Sequence, residues 1–263
     1  MSQTSRPLAL VTGASSGIGL SFSRHLARAG HDLVVTARRG SVLNELRDEL
    51  GEVGGVEILE ADLETPEGLQ AVVDRIEAGS PISMLVNNAG FAARGRVGEF
   101  DPADFDRMIR LNVTAPAHLA SAAMKRMRAA GSGTIINVSS GTMFMQLPGN
   151  SAYGASKNFV SGFTRTLQAE ADGSGVRVQL LVPGVIATDF HRVAGNDLSN
   201  FPPERVMQPD DLVVASLRAL ELGEAVCIPS VPDAALWDRY VEAEAALSAV
   251  ASRDKPAERY HVG

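Results

Sequence analysis

A chain of 263 residues with 45 % hydrophobic content is long enough for one large α/β domain and apolar enough to fill its core. The net charge of −7, with 24 basic residues in no dense run, excludes the electrostatic footprint of a nucleic-acid binder. The single cysteine, Cys227, excludes an intrachain disulfide and a thiolate metal cluster, so no metal is expected.

The opening MSQTSRPLALVTGA has too short an apolar run for a secretory signal, and no stretch approaches the roughly 18 apolar residues of a membrane span. A cytoplasmic protein without a membrane partner is expected. The first predicted strand, PLALVT at 7–12, runs into Thr12-Gly13-Ala14-Ser15-Ser16-Gly17-Ile18-Gly19, and the spacing of Ile18, Phe22 and Leu26 starts a helix. Strand, glycine turn and helix together bring backbone N–H groups onto a pyrophosphate. The spacing G-x3-G-x-G departs from the commoner G-x-G-x-x-G, and a tight strand-to-helix connection is the alternative reading of the turn. A second strand, DLVVTA at 32–37, ends at Thr36-Ala37-Arg38-Arg39.

Further strands follow at 56–61 (VEILEA) and 82–87 (ISMLVN), then a helix candidate over 102–128 behind the Asp101-Pro102 start signal. A strand at 134–139 (TIINVS) leads to a helix candidate over 150–171, and strands at 176–182 (VRVQLLV) and 225–229 (AVCIP) complete seven. Alternation of buried strands with helices predicts a single-domain doubly wound (Rossmann) fold, a seven-stranded parallel sheet with helices on both faces. Residues 188–207, punctuated by Gly195, Asn196, Pro202 and Pro203, lack periodicity and read as a flap over the substrate. The tail, 231–263, reads as helical, with Leu236, Trp237, Tyr240, Val241 and Leu247 on an amphipathic segment.

Tyr153 and Lys157 are one of three tyrosines and one of three lysines. A Tyr-x3-Lys pair is expected roughly 0.03 times by chance from that composition. Four residues apart on a helix they share a face, and the ammonium is expected to lower the phenol pKa.

TGxxxGxG followed by YxxxK resembles the short-chain dehydrogenase/reductase family. Further landmarks fall in order: Asn87-Asn88-Ala89-Gly90, Asn112, Ser140 thirteen residues before Tyr153, and Pro183-Gly184 with Thr188. The resemblance covers roughly residues 7 to 230 and implies an oxidoreductase acting on a carbonyl or secondary alcohol with a nicotinamide cofactor. It implies Tyr153 as general acid/base, Lys157 and Ser140 as its partners, and Asn112 as support for a water beside Lys157. It also implies cofactor contacts at Gly13, Ser15, Ser16, Gly17, Ile18 and Gly19, at Asn88, Ala89 and Gly90, at Tyr153 and Lys157, and at Pro183, Gly184, Val185 and Thr188. Asp62, with Leu63 beside it, matches the family's adenine contact, although a helix cap is an equal reading of Asp62.

No acid ends the second strand, where an acidic residue would bind a free ribose 2′-hydroxyl. Guanidinium groups there suit a 2′-phosphate, so NADP(H) is expected rather than NAD(H). Arg38 is the first choice and Arg39 the second, because a one-residue shift in register exchanges them. Met143, Phe144, Met145 and Leu147, with Phe91, Val185 and Ile186, are expected to line an apolar pocket for a small-molecule substrate. His191 and Arg94 are candidate polar contacts. From the binding motifs alone a non-catalytic NADP-binding redox sensor or scaffold stays open. Apolar or small residues on a second side of both long helices predict a homodimer or homotetramer.

Overall fold

The apolar runs alternate in the side they present, and that alternation builds two cores. The computed structural model describes residues 6–195 and 197–260; the first five residues, Asn196 of the predicted flap and the last three of the tail lie outside it. Among the described residues the strands are β1 (Leu8–Thr12), β2 (Asp32–Ala37), β3 (Val56–Glu60), β4 (Met84–Asn87), β5 (Gly133–Val138), β6 (Val176–Leu181), β7 (Val185–Ile186), β8 (Val206–Met207) and β9 (Val226–Cys227). The helices are α1 (Gly17–Arg28), α2 (Gly40–Leu50), α3 (Pro66–Ala78), α4 (Pro102–Ile109), α5 (Ala115–Ala130), α6 (Ser151–Ala171), α7 (Phe190–Val193), α8 (Pro209–Leu222) and α9 (Ala235–Ser248).

A seven-stranded sheet in the order β3-β2-β1-β4-β5-β6-β9 is parallel throughout. Ala9, Val11, Leu33, Val35, Val86 and Ile136 meet Phe22 and Leu26 of α1, Leu43 and Leu46 of α2, and Leu212 of α8. The intervening Leu10, Val34, Leu85 and Ile135 meet Val72 and Ile76 of α3, Leu119 of α5 and Leu167 of α6. Successive residues of a strand point to opposite faces, so strands buried on both sides read as near-continuous apolar runs. The strand order turns back between β1 and β4, which opens a crevice at their carboxyl ends.

Most element ends move by one or two residues, and two expectations change further. The helix predicted over 102–128 is two helices, α4 and α5, joined by a π-helical turn at Arg110–Thr114. Pro116 has no N–H to give the Asn112 carbonyl four residues back, and its ring would clash with that oxygen, so the backbone widens there. The last strand shrinks from the predicted 225–229 to Val226–Cys227.

β7 and β8 pair in parallel, Val185 opposite Val206 and Ile186 opposite Met207, and the Ala187 N–H donates to the Met207 carbonyl at 2.8 Å. This small sheet ties together the two ends of the predicted flap. The chain forms two compact units that divide between Pro229 and Ser230. The first holds the seven-stranded sheet with α1 to α8. In the second, the Asp233 carboxylate accepts from the Ala235 N–H at 3.0 Å, and the Trp237 and Tyr240 rings lie 5.3 Å apart on α9. Among the described residues no helix is long and apolar enough to cross a membrane.

Phe22 is the largest side chain wholly enclosed in the core, at 0 % exposure. Phe22→Ala is expected to lower unfolding stability by about 3–5 kcal/mol through lost burial and a residual cavity. Urea denaturation followed by circular dichroism measures it.

Candidate active site

At the crevice the Thr12 hydroxyl joins the ends of two strands. It donates to the Val86 carbonyl at 3.2 Å and accepts from the Asn88 and Ala89 N–H groups at 2.9 and 3.0 Å. The Asn88 amide donates to the Thr12 carbonyl at 2.9 Å. These bonds hold the glycine turn against Asn88-Ala89-Gly90.

The turn has room for backbone only. Gly13 has φ +67°, and a Cβ there would sit 2.8 Å from the Asn88 amide nitrogen. A Cβ on Gly19 would collide with the Gly13 carbonyl. Gly17 has φ +53°, and a Cβ on it would lie 2.9 Å from the Thr188 methyl, so the segment after Pro183-Gly184 reaches the turn. Ser16 precedes α1 without a side-chain cap on its first N–H groups, an arrangement that suits an anion. Ser15 accepts from Arg39, at its carbonyl (3.2 Å) and at its hydroxyl (3.0 Å), and Ile18 packs on the core.

Ser140 follows β5, where its hydroxyl accepts from the Thr142 N–H at 3.2 Å. Tyr153 and Lys157 lie in the first two turns of α6, at 7 % and 5 % exposure. The Lys157 ammonium donates to the Val138 carbonyl at 2.9 Å and lies 5.8 Å from the Tyr153 ring centre. A buried ammonium needs such an acceptor. Asn112 sits in the π-helical turn at 1 % exposure. Its amide donates to the Phe91 carbonyl (2.9 Å) and the Ser156 hydroxyl (3.1 Å), and its oxygen accepts from the Phe91 N–H (3.1 Å). Ser156 in turn donates to the Tyr153 carbonyl at 2.7 Å, tying the turn to α6. A Cβ on Gly90 would lie 3.0 Å from the Asn112 oxygen and 3.6 Å from the Lys157 nitrogen. Tyr153, Lys157, Ser140, Asn112 and Gly90 therefore share one end of the crevice.

The expected lowering of the tyrosine pKa is reversed. Burial pushes the Tyr153 phenol up to about 12, with a hydrogen bond to Ser140 pulling the other way, and burial pushes the Lys157 ammonium down to about 8. Each charged form loses solvation, and on the phenol this outweighs the attraction that the i,i+4 spacing suggested.

At the other end, Arg38 and Arg39 follow β2. Arg38 donates to the Glu64 carboxylate at 3.0 Å. Asp62 is no helix cap: its carboxylate accepts from the Glu64 N–H at 3.0 Å, while Thr65 caps α3 by accepting from the Gly68 N–H at 3.1 Å. The Leu63 side chain is buried in the same apolar cluster as Leu69 and Val72. Glu64 and Arg107 went unread in the sequence, because each takes its place only when distant segments meet.

Phe190 of α7 packs on Tyr153, ring centres 5.8 Å apart, and Phe91 and Phe100 border the same cluster. The flap's lack of periodicity hid Phe190. Met143 and Ile186 are buried, Val185 is tied into β7, and Phe144, Met145 and Leu147 are exposed. His191 stacks edge-on with Phe190 and Phe201; burial lowers its pKa, a bond to Ile186 opposes this, and Arg94 lowers it further. Pro183 gives its carbonyl to the Gly141 N–H at 2.8 Å, and Gly184 beyond it is exposed. Among the described residues no group of three or more His, Cys, Asp or Glu side chains is placed to hold a metal.

The family model described as short chain dehydrogenase matches residues 7–198. Sulfoacetaldehyde reductase 2 of Chromohalobacter salexigens is 37 % identical over 186 residues, 70 % of this chain and 74 % of the relative. A solved short-chain dehydrogenase of Sphingobium yanoikuyae in complex with NADPH is 39 % identical, with a TM-score of 0.89 over 97 % of this chain and 100 % of that one. The bulky-bulky ketone specific alcohol dehydrogenase of Comamonas testosteroni is 33 % identical, with a TM-score of 0.88 over 97 % and 98 % of the two chains.

Lys157 gives the site a stability signature. Its folded pKa, lowered to about 8 by burial, lies below the ordinary lysine value of 10.5, so between these the unfolded chain binds more protons and stability rises with pH. Tyr153 acts oppositely from about 10 to 12, where the unfolded phenol ionises first. Lys157→Met is expected to be more stable than the parent at pH 7 by up to a few kcal/mol. That advantage should shrink from pH 8 to 10, as read by urea unfolding at each pH.

Proposed function

This chain belongs to the short-chain dehydrogenase family, and from that premise we propose that it interconverts a carbonyl and a secondary alcohol on an apolar small molecule, with Tyr153 as general acid/base. The observation that carries this reading is the enclosure of Tyr153 and Lys157 beside Ser140 at the crevice. The cofactor is NADP(H), as in the solved NADPH complex of the Sphingobium relative, and it supplies or accepts the hydride when bound.

The glycine turn fits such a cofactor, because Gly13, Gly17 and Gly19 leave no space for side chains and the α1 N-terminus lacks a side-chain cap. Asn88, Ala89 and Gly90, with Thr188 opposite, border the rest of its path. Arg38 and Arg39 hold the 2′-phosphate, and Asp62 lies at the adenine end.

Ser140 orients the substrate oxygen, and Tyr153 moves the proton. A phenol raised to about 12 stays protonated at neutral pH, the form that donates to a developing alkoxide in reduction. Lys157 anchors the ribose and supports the proton supply, and Asn112 fixes the Phe91 backbone beside it. Residues 188–207 act as the flap, and an apolar substrate takes the place of Phe190 against Tyr153. The protein works in the cytoplasm as a homodimer or homotetramer, a reading supported by the half-exposed Phe105 of α4 and by Phe159, which stacks on Phe163 of α6 at 5.7 Å.

Tyr153→Phe is expected to cut turnover by about 10²-fold or more while NADPH affinity, followed by fluorescence, stays within a few-fold. Parent-like rates with any ketone or aldehyde that the parent reduces would refute the assignment. A non-catalytic NADP binder would show tight NADPH binding and no oxidation across such a panel. Sedimentation equilibrium at micromolar concentration is expected to give a dimer or tetramer, and a pure monomer would overturn the assembly.

A further inference from the structure

We propose that Glu64 is a positioning residue for coenzyme selectivity, fixing the Arg38 guanidinium for a ribose 2′-phosphate; this rests on the NADP(H) reading above. Glu64 lies between two guanidinium groups. One carboxylate oxygen accepts from Arg107 Nε at 2.7 Å, and the other from Arg38 Nη1 at 3.0 Å and Arg107 Nη2 at 3.4 Å.

The two arginines are held differently. Arg107 presents an edge to the carboxylate, bonds Asp104 at 3.1 Å and lies over the Phe91 ring at 5.2 Å. It is a fixed post. Arg38 touches the carboxylate through one nitrogen only and remains 58 % exposed, whereas the Glu64 side chain is 8 % exposed. A guanidinium has five N–H donors in a rigid fork, so a partner at one corner sets its direction and leaves donors for an anion. Arg39 is held separately, on Ser15.

Loss of the Glu64 charge has two opposed consequences. It raises the positive charge near the site, which favours a phosphate. It also removes the shared carboxylate from between two guanidinium groups, leaving Arg107 on Asp104 and Arg38 without its anchor, so Arg38 turns outward and its direction is lost. The geometric loss prevails, because charge at an exposed arginine is screened by water while a fork must be aligned to bind an oxyanion.

The test is calorimetric and independent of turnover: adenosine 2′,5′-bisphosphate and 5′-AMP are titrated into the parent, Glu64→Gln, Arg38→Gln and the double variant. The expected result is about a tenfold weaker Kd for the bisphosphate in Glu64→Gln, with 5′-AMP within about twofold, and no further change when Glu64→Gln is added to Arg38→Gln. Equal weakening of both nucleotides would mean a purely structural role, and unchanged or tighter bisphosphate binding would mean that charge outweighs alignment. Either overturns the proposal. A parent that binds 5′-AMP as tightly as the bisphosphate removes the NADP(H) reading itself. If Glu64→Gln does not fold, Glu64→Asp, too short to span both arginines, must show the same selective loss.

Discussion

The site depends on the saturation of one buried hydroxyl. Thr12 ends β1 where the strand order reverses, and its oxygen donates once and accepts twice, the full capacity of a hydroxyl. Those bonds fix the Asn88-Ala89 backbone across the crevice from the glycine turn. Parallel strands leave their carboxyl ends unpaired beyond the sheet, and without such a stitch the two loops would have no common reference. The close approach of Asn88 to Gly13 and Gly19 follows from it.

The acid/base cluster is built by a different constraint, the cost of burying charge. Lys157 and Tyr153 are enclosed by the ends of β5 and α6 and by the aromatic cluster with Phe190, so both neutral forms gain over the charged ones. The Val138 carbonyl holds the ammonium, and Ser139 donates to the Lys157 carbonyl at 2.8 Å, fixing α6 to the segment that leads from β5 to Ser140. Rigidity at the reacting groups is obtained by taking polar atoms out of water and satisfying them one by one.

The π-helical turn links local sequence to the same cluster. Pro116 denies the Asn112 carbonyl its helical donor, and the widened turn carries the Asn112 side chain to the Phe91 backbone and to Ser156. The Pro116 carbonyl in turn accepts from the Asn87 amide at 3.2 Å. A single proline thus serves both the helix irregularity and the junction with β4.

Much of the fold was legible in the sequence because its signals are local. The unbroken apolar runs at 8–11, 33–35 and 135–136 mark strands covered on both faces, and the glycines at 13, 17 and 19 mark a turn that only backbone can form. The spacing of Tyr153 and Lys157 is a helix period, so their shared face followed directly. The sign of the tyrosine pKa shift did not follow, because burial is a property of everything packed around a group and sequence spacing reports only one neighbour. The break at Pro116 was visible as a residue but not as a π-turn, since the helix on either side kept its apolar period. Glu64 between Arg38 and Arg107, and Phe190 on Tyr153, join residues 26 and 43 positions apart in the first case and 37 in the second. Contacts of that range are set by which loops the parallel sheet brings to one edge, and only the tertiary structure decides them.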